Sequence, residues 1–458
     1  MALGVPAKCP HGTWAFFRSE DMTATTNLIK ARRFLPLFVT QMLGAFNDNL
    51  FKNAMVLFAV YSVYDSESEE ARFSAVASAV FILPFFLLSA LAGQLADMRD
   101  KAKIIRIVKL CEILIMLVGG AGLAMVWNGI GTQSIAISLM MLALFGMGIH
   151  STFFGPIKYA ILPQHLEREQ VLAGTGLVEA GTYIAILAGT IVAGWISAQS
   201  AAVAVIAIAL VGYVAGRQVP PAPPMAEPEP LDFNIVRSSY NLVRNTMHDR
   251  RVYLAIMAIS LFWAIGTVLF IQFPPLAKNV LSAGKEVASL FLVMFSVGIA
   301  IGSMSINALL KGTVSARYAP ASVIAMAIFL VLFQILCRLW GERHTGELMD
   351  VATFVCQPLA IPLLLSLLFI AIAGGMFVVP LYAFLTTFVD KSQTARTIAA
   401  NNIVNSGAMV IGSVAAMLLS VVGVAIIEQL LIIALCCAGT AWLGHLLRRA
   451  EVEAATAP

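Results

Sequence analysis

Between Phe34 and Tyr64 the chain reads FLPLFVTQMLGAFNDNLFKNAMVLFAVYSVY, apolar at both ends and polar in the middle. Asn47, Asp48, Asn49, Lys52 and Asn53 stand where a membrane-spanning helix carries almost nothing but Leu, Val and Phe. At ~1.5 Å per residue, Asp48 lies about 18 Å along a helix beginning near Pro36, close to the middle of a bilayer. An ionised group there costs several kcal/mol unless it is paired or wetted, so Asp48 and Lys52 mark a polar site or pathway. Four residues apart, they share one helical face and can pair with each other or with groups on neighbouring helices. Two chemistries fit. One is an internal ion pair that only positions the helix. The other is a headgroup site in which Lys52 faces a phosphate and Asp48 an ammonium, or in which Asp48 gates against a basic partner.

Other polar residues fall at similar depth. Glu179 lies about 14 Å into the fifth apolar segment and Glu112 about 12 Å into the third, which leaves an amine site, a proton relay or separate helix contacts open. Glu112 also stands within reach of Lys109 and Arg106, while Glu428 reads as an outer-interface or helix-contact residue. Lys158 is either a snorkelling interfacial lysine or a phosphate contact at an inner gate. His150 fits a helix contact or a pH sensor. Asn401, Asn402 and Asn405, with Gln272, offer neutral polar groups that can bond between helices or to a glycerophosphate headgroup. The 27 Phe and 20 Met offer a slot for an acyl chain, though lipid-facing packing accounts for nearly all of them. The six cysteines follow no metal-ligand spacing; Cys337 and Cys356 flank one outer loop, where pairing is open but not demanded. No metal or cofactor is expected.

The setting for these residues is a membrane. Hydrophobic residues make up 60% of the 458 and charged residues 12%, about half the share of a soluble protein. Twelve apolar segments are expected near 35–63, 73–96, 104–127, 133–156, 170–196, 199–216, 252–280, 287–310, 319–338, 358–388, 398–420 and 423–446. Lys30, Arg32, Arg33, Arg99, Lys101, Lys103, Lys158, Arg168, Arg217, Arg237, Arg244, Arg250, Arg251, Lys311, Arg317, Lys391, Arg396, Arg448 and Arg449 alternate to one side. The first loop on the other side is acidic, with Asp65, Glu67, Glu69 and Glu70. This asymmetry predicts an integral membrane protein with both termini cytoplasmic. A net charge of +4 gathered at segment ends gives no nucleic-acid footprint.

The expected layout is a cytoplasmic tail over 1–33, six helices over 34–216, a linker over 217–250, six helices over 251–447 and a tail over 448–458. The tail has no secretory-signal core, and Met22 is a plausible alternative start. The linker begins Pro-rich and turns amphipathic from Asp232, with Phe233, Val236, Tyr240 and Val243 near helical spacing along the inner interface. The halves resemble each other. Leu177–Gly181 of GTGLVEAG aligns with Ile403–Gly407 of ANNIVNSG, and each follows a proline-aromatic turn, GPIKYAIL or VPLYAFL. The alignment sets Glu179 against Asn405 and favours Glu179 over Glu112 as a site residue.

From Gly93 the loop after the second span reads GQLADMRDKAK. Gly93 permits close helix approach, Asp97 can cap or pair at a helix end, and Arg99 and Lys101 are expected on the inner surface. The pattern resembles the loop signature of the major facilitator superfamily, which implies an all-α fold of two six-helix bundles, latched in one access state by this loop. GAFNDNLFKNA, GPIKYAILPQHL, SLFWAIGTVLFIQFPPLAKNVL and FVVPLYAFL followed by IAANNIVN together resemble the lysophospholipid transporter family, over residues 34 to about 420. That resemblance implies inward flipping of lysophospholipids, chiefly lysophosphatidylethanolamine, across a bacterial inner membrane for reacylation. It implies membrane lipids and a separate acyltransferase or acyl-ACP synthetase as partners, and it gives Asp48 a role in transport or gating. A proton-coupled exporter of amphiphilic drugs and a non-transporting scaffold for an acyltransferase are the alternatives. No nucleophile elbow, Walker loop or acyltransferase-type His-Asp motif is present, so an enzyme is not expected.

Overall fold

The structure, a computed structural model, describes residues 28–62, 67–128, 133–227, 229–341 and 348–456. The tail as far as Asn27 and Asp65 of the acidic loop lie outside the described residues. Among the described residues twelve long helices dominate: α1 Leu35–Ser62, α2 Glu67–Met98, α3 Lys101–Asn128, α4 Gln133–Ala160, α5 Arg168–Trp195, α6 Ala198–Arg217, α7 Arg250–Asn279, α8 Lys285–Leu310, α9 Ala319–Gly341, α10 Ala360–Thr387, α11 Thr394–Val421 and α12 Ile426–Thr456. Eleven of them are long and apolar enough to span a bilayer, and α1, with its polar Asn47–Asn53 stretch, is the long helix outside that set. Among the described residues, β structure is limited to one bridge, Ala283 to Met349.

Packing follows a two-fold rule. In the first six helices α1 packs on α5 and α6, α3 on α4 and α6, and α2 on α4. Adding six to each number gives the packing of the second bundle: α7 on α11 and α12, α9 on α10 and α12, and α8 on α10. The contacts between bundles obey the same rule, since α2 packs on α11 as α8 packs on α5, and α5 meets α10 as α11 meets α4. A duplicated sequence folds into a duplicated bundle because each half buries the same faces.

The bundles meet at the end that carries the α2–α3 turn. One apolar core fills the C-terminal bundle and continues through Phe34, Ile105, Ile157, Leu162 and Leu172 of the N-terminal bundle. A second core, around Phe51, Met116 and Met147, fills the other half of the N-terminal bundle and stays separate. At the seam Gly93 is required for close approach, because a Cβ there would stand 2.5 Å from that of Ala399. Gly176 does the same on the symmetric seam, where its Cβ would meet the backbone oxygen of Ser303.

The structure corrects two local expectations. GPIKYA and VPLYAFL are not turns: Pro156 and Pro380 lie inside α4 and α10, a position that spanning helices tolerate. The C-terminal helix continues to Thr456, and Glu451 on that extension accepts from Ser315 Oγ and the Ala316 amide. Cys337 is buried and Cys356 exposed, and both are free thiols.

Candidate functional site

The helical period places Gln41, Gly44, Ala45, Asp48, Asn49 and Lys52 on one stripe of α1, and that stripe lines a cavity of about 340 Å³ between the bundles. His150, Ser151, Phe154, Gly155, Lys158 and Tyr159 form the matching stripe of α4. Phe81, Ile82 and Phe85 of α2 and Thr182 and Ile186 of α5 complete the N-terminal wall. The facing wall comprises Trp263 of α7, Tyr382 of α10, and Asn402, Asn405, Ser406 and Met409 of α11. Charge is therefore one-sided. Both signs stand on the N-terminal bundle, and the C-terminal wall is neutral and polar.

Asp48 and Lys52 share the face but do not pair. Ser151 donates to Asp48 Oδ2 at 2.6 Å, and Oδ1 is buried without a hydrogen-bond partner. The Lys52 ammonium lies 5.7 Å above the Phe81 ring, and that of Lys158 lies 4.8 Å above the Tyr159 ring. Such contacts are worth about 0.5–2 kcal/mol, less than the several kcal/mol an ion loses on leaving water. Both ammoniums and the free carboxylate oxygen therefore call for a ligand or for water.

Behind Asp48 a fully buried charge cluster ties four helices together. Lys109 and Glu112 form an ion pair of 2.6 Å on α3. Asn47 of α1 donates to Glu112 Oε1 at 2.9 Å and to the Val205 carbonyl of α6 at 3.1 Å. His150 Nε2 of α4 stands 3.2 Å from Glu112 Oε2, and its Nδ1 lies 3.5 Å from Ser151 Oγ. A line of polar groups thus runs from the cavity through Asp48, Ser151 and His150 to Glu112.

The floor of the cavity is aromatic. The rings of Tyr159 and Tyr382 stack across the bundles, with centroids 4.8 Å apart and planes 4° apart. Tyr159 donates its hydroxyl to Glu179. The Tyr382 oxygen accepts from Trp263 Nε1 at 2.9 Å and from Asn405 Nδ2 at 3.4 Å, and Asn405 in turn accepts from Ser260 at 2.7 Å. Glu179 and Asn405, aligned by the repeat, hold the two tyrosines from symmetric helices.

Below the floor, Asp97 ends α2 by capping a helix of the other bundle. Its oxygens accept from the Ala395 and Arg396 amides at the start of α11, each at 2.9 Å. A carboxylate at a helix N-terminus is favoured by the exposed amides and the helix dipole. Arg99 stays exposed as expected. Lys101 does not: it is fully buried, because α3 starts there beneath the linker, with its amide bonded to the Ala222 carbonyl.

Of the residues singled out from sequence, Asp48, Asn49, Lys52, His150, Lys158, Asn402 and Asn405 meet in the cavity. Asn47 and Glu179 stand behind it, each bonded to a residue that shapes it or supports it. Asn401 is buried, with neither amide atom bonded. Gln272 belongs elsewhere, donating to Gln429 of α12 at 2.5 Å, and Glu428 pairs with Arg338. The cavity also draws on Ser151, Trp263, Tyr159 and Tyr382. The two tyrosines were signalled by the matched motifs that contain them; the serine had no signal.

The family model described as Major Facilitator Superfamily matches residues 37–413. The chain is 26% identical over 402 residues to the lysophospholipid transporter LplT of Cronobacter sakazakii, covering 85% of this chain and 89% of that one. It is 24% identical over 401 residues to LplT of Escherichia coli, with 86% and 90% covered. Among solved structures it is similar in fold to a bacterial homologue of the iron transporter ferroportin in an outward-facing state, with a TM-score of 0.65, 13% identity, and 91% and 99% covered. The human organic anion transporter MFSD10 is similar too, with a TM-score of 0.66, 12% identity, and 91% and 98% covered.

Proposed function

The chain belongs to the major facilitator superfamily, and on that premise we propose that it flips lysophospholipids, chiefly of the lysophosphatidylethanolamine class, inward across a bacterial inner membrane by alternating access. The observation that carries this reading is the mixed charge of the cavity. Lys52 and Lys158 offer cations to a phosphate, and Asp48 offers a carboxylate to an ammonium. Asn402 and Asn405 face them with neutral donors and acceptors suited to glycerol. A zwitterionic headgroup answers both signs without adding net charge to a low-dielectric site. The volume of about 340 Å³ is at the small end for a ligand site and suits a headgroup whose acyl chain remains toward lipid. The relatives named as lysophospholipid transporters support the same substrate.

Both termini and the α2–α3 turn are taken as cytoplasmic, which the distribution of Lys and Arg supports. The closed end is then the cytoplasmic end, and the headgroup reaches the cavity from the outer leaflet. Inward release requires three barriers to part: the tyrosine stack, the Asp97 cap, and the two glycine-lined seams. A separate acyltransferase or acyl-ACP synthetase would consume the delivered lipid.

The test offers labelled lysophosphatidylethanolamine to spheroplasts that contain the acyltransferase, with and without this chain, and follows conversion to diacyl lipid. Conversion is expected to depend on the chain, and equal conversion overturns the reading. At matched expression, Asp48→Asn and Lys52→Ala are each expected to cut conversion; full activity in both would remove the headgroup assignment. A proton-coupled exporter of amphiphilic drugs is the second reading, favoured by the polar line from Asp48 through Ser151 and His150 to Glu112. Efflux of an amphiphilic dye that collapses with the proton gradient would support it, and dye retention unchanged by the chain would exclude it.

A further inference from the structure

The linker between the bundles crosses the closed seam and is bonded to both of its sides. The Met225 and Ala226 amides donate to the Asp97 carbonyl, and the Glu229 amide lies 3.1 Å from Met98 Sδ. Gln94 of α2 donates to the Pro230 carbonyl at 3.0 Å and accepts from the Asp232 amide at 3.3 Å. On the other side, Arg396 of α11 holds the Glu229 carboxylate at 2.9 Å. The segment then forms a helix, Ile235–Thr246, opened by Asn234, whose side chain accepts from the Arg237 amide. This helix packs on α2 and on α11, over the same seam.

Its outer surface is graded in a way that water alone does not explain. Phe233, Val236 and Tyr240 are 73%, 79% and 64% exposed, while Met247, about two turns beyond Tyr240, packs against the core. At about 100° per residue, Val236 and Tyr240 are followed around the helix by Arg237 and Arg244, and then by Asn241 and Asn245, while Phe233 stands just ahead of the Asn234 cap. Arg237, Arg244, Asn241 and Asn245 are all exposed, and no acidic residue occurs from Phe233 to His248. Apolar, cationic and neutral polar bands in that order match the order of acyl boundary, phosphate layer and water. The helix also lies beside the ends of α2 and α11, at the level where a spanning bundle meets the headgroups.

We propose that Ile235–Thr246 docks into an anionic membrane surface, inserting Phe233, Val236 and Tyr240 at the acyl boundary and setting Arg237 and Arg244 among lipid phosphates. Each arginine adds attraction to an anionic leaflet, and the apolar stripe supplies the anchorage that charge alone lacks. Docking gives the strap its purpose. Because it is bonded to Gln94 on one side of the seam and Arg396 on the other, a membrane-held helix keeps α2 and α11 together until the strap lets go.

The test uses the full chain, freed of native cysteines and reconstituted in phosphatidylethanolamine vesicles with or without phosphatidylglycerol. Nitroxides are placed singly through Val236→Cys, Tyr240→Cys, Asn241→Cys and Asn245→Cys. With phosphatidylglycerol, the labels at 236 and 240 are expected to collide with oxygen and to be shielded from a water-soluble nickel chelate, and those at 241 and 245 to show the reverse. The contrast is expected to shrink at least severalfold without phosphatidylglycerol or when Arg237→Gln and Arg244→Gln are combined. Nickel access at 236 and 240 equal to that at 245 overturns the proposal and leaves the stripe to a soluble protein partner. Insertion indifferent to phosphatidylglycerol and to both arginines overturns it as well. Neither readout depends on lipid flipping, so this proposal and the transport reading fail separately.

Discussion

Lys52 and Lys109 lie on opposite sides of the same polar zone and have opposite fates. Lys109 is paired with Glu112 and sealed away, whereas Lys52 faces the cavity with only the Phe81 ring beneath it. The physical expectation separates the two. Glu112→Gln strands a buried ammonium, and a broken buried pair costs about 3–5 kcal/mol, so the purified protein should unfold far more readily. Lys109→Met together with Glu112→Gln removes both charges and should recover most of that loss, as unfolding curves of the three proteins in detergent would reveal. Lys52→Met breaks no ion pair and should barely alter unfolding. Losing one charge-assisted bond to the headgroup, worth about 1.5–3 kcal/mol, should weaken lysophosphatidylethanolamine transport by about tenfold to a hundredfold. Normal transport by Lys52→Met would mean that this ammonium serves α1 and not the ligand.

At the scale of the element, α2 and α11 touch each other directly through two devices that can be loosened separately. Asp97→Asn keeps one acceptor for the α11 amides but loses the second and the negative charge, together worth about 1 kcal/mol at a helix N-terminus. It should move the balance about fivefold toward the state open on the α2–α3 side, measured by labelling a cavity cysteine from that side. Gly93→Val acts more strongly, since even a Cβ collides with Ala399. It should abolish the seal and transport together, and retention of both would show that the helices shift apart at little cost. Much of this was legible in advance. Gly-x-x-x-Asp at the end of an apolar run announces a close approach and a cap, and the repeat aligned Glu179 with Asn405 across the two halves. The partners were not legible. An Asp and a Lys four apart share a face, but only the packed neighbours decide that Asp48 takes Ser151 and that Lys52 takes a ring. Gln272 stood open between two readings for the same reason, because an amide in a span reads alike whether it meets a ligand or Gln429. Lys101 misled in the opposite sense. A lysine at a helix start reads as surface until the linker is seen to cover it.

For the molecule as a whole, the two-fold rule makes the tyrosine pair the point on which both bundles close. Tyr159 and Tyr382 come from α4 and α10, which the repeat relates, and their rings meet face to face between the bundles. Each is braced from its own half, Tyr159 by Glu179 of α5 and Tyr382 by Asn405 of α11 and Trp263 of α7. Parting the bundles at this end must unstack the rings, which forfeits about 0.5–1.5 kcal/mol beyond the loss of buried area. Tyr382→Phe keeps the ring and deletes only the oxygen that two donors share, so it should loosen the floor slightly and leave transport within a fewfold of normal. Tyr382→Ala and Tyr159→Ala remove the floor itself. A reporter thiol from Ser406→Cys, which lines the cavity, should in wild type react with a membrane-impermeant maleimide far faster from the open side than from the α2–α3 side. In either alanine variant the two rates should approach each other, and net flipping should fall because both sides stand open to the same site. Unchanged one-sided labelling in both alanine variants would leave the glycine seams and the Asp97 cap as the whole of the inner barrier.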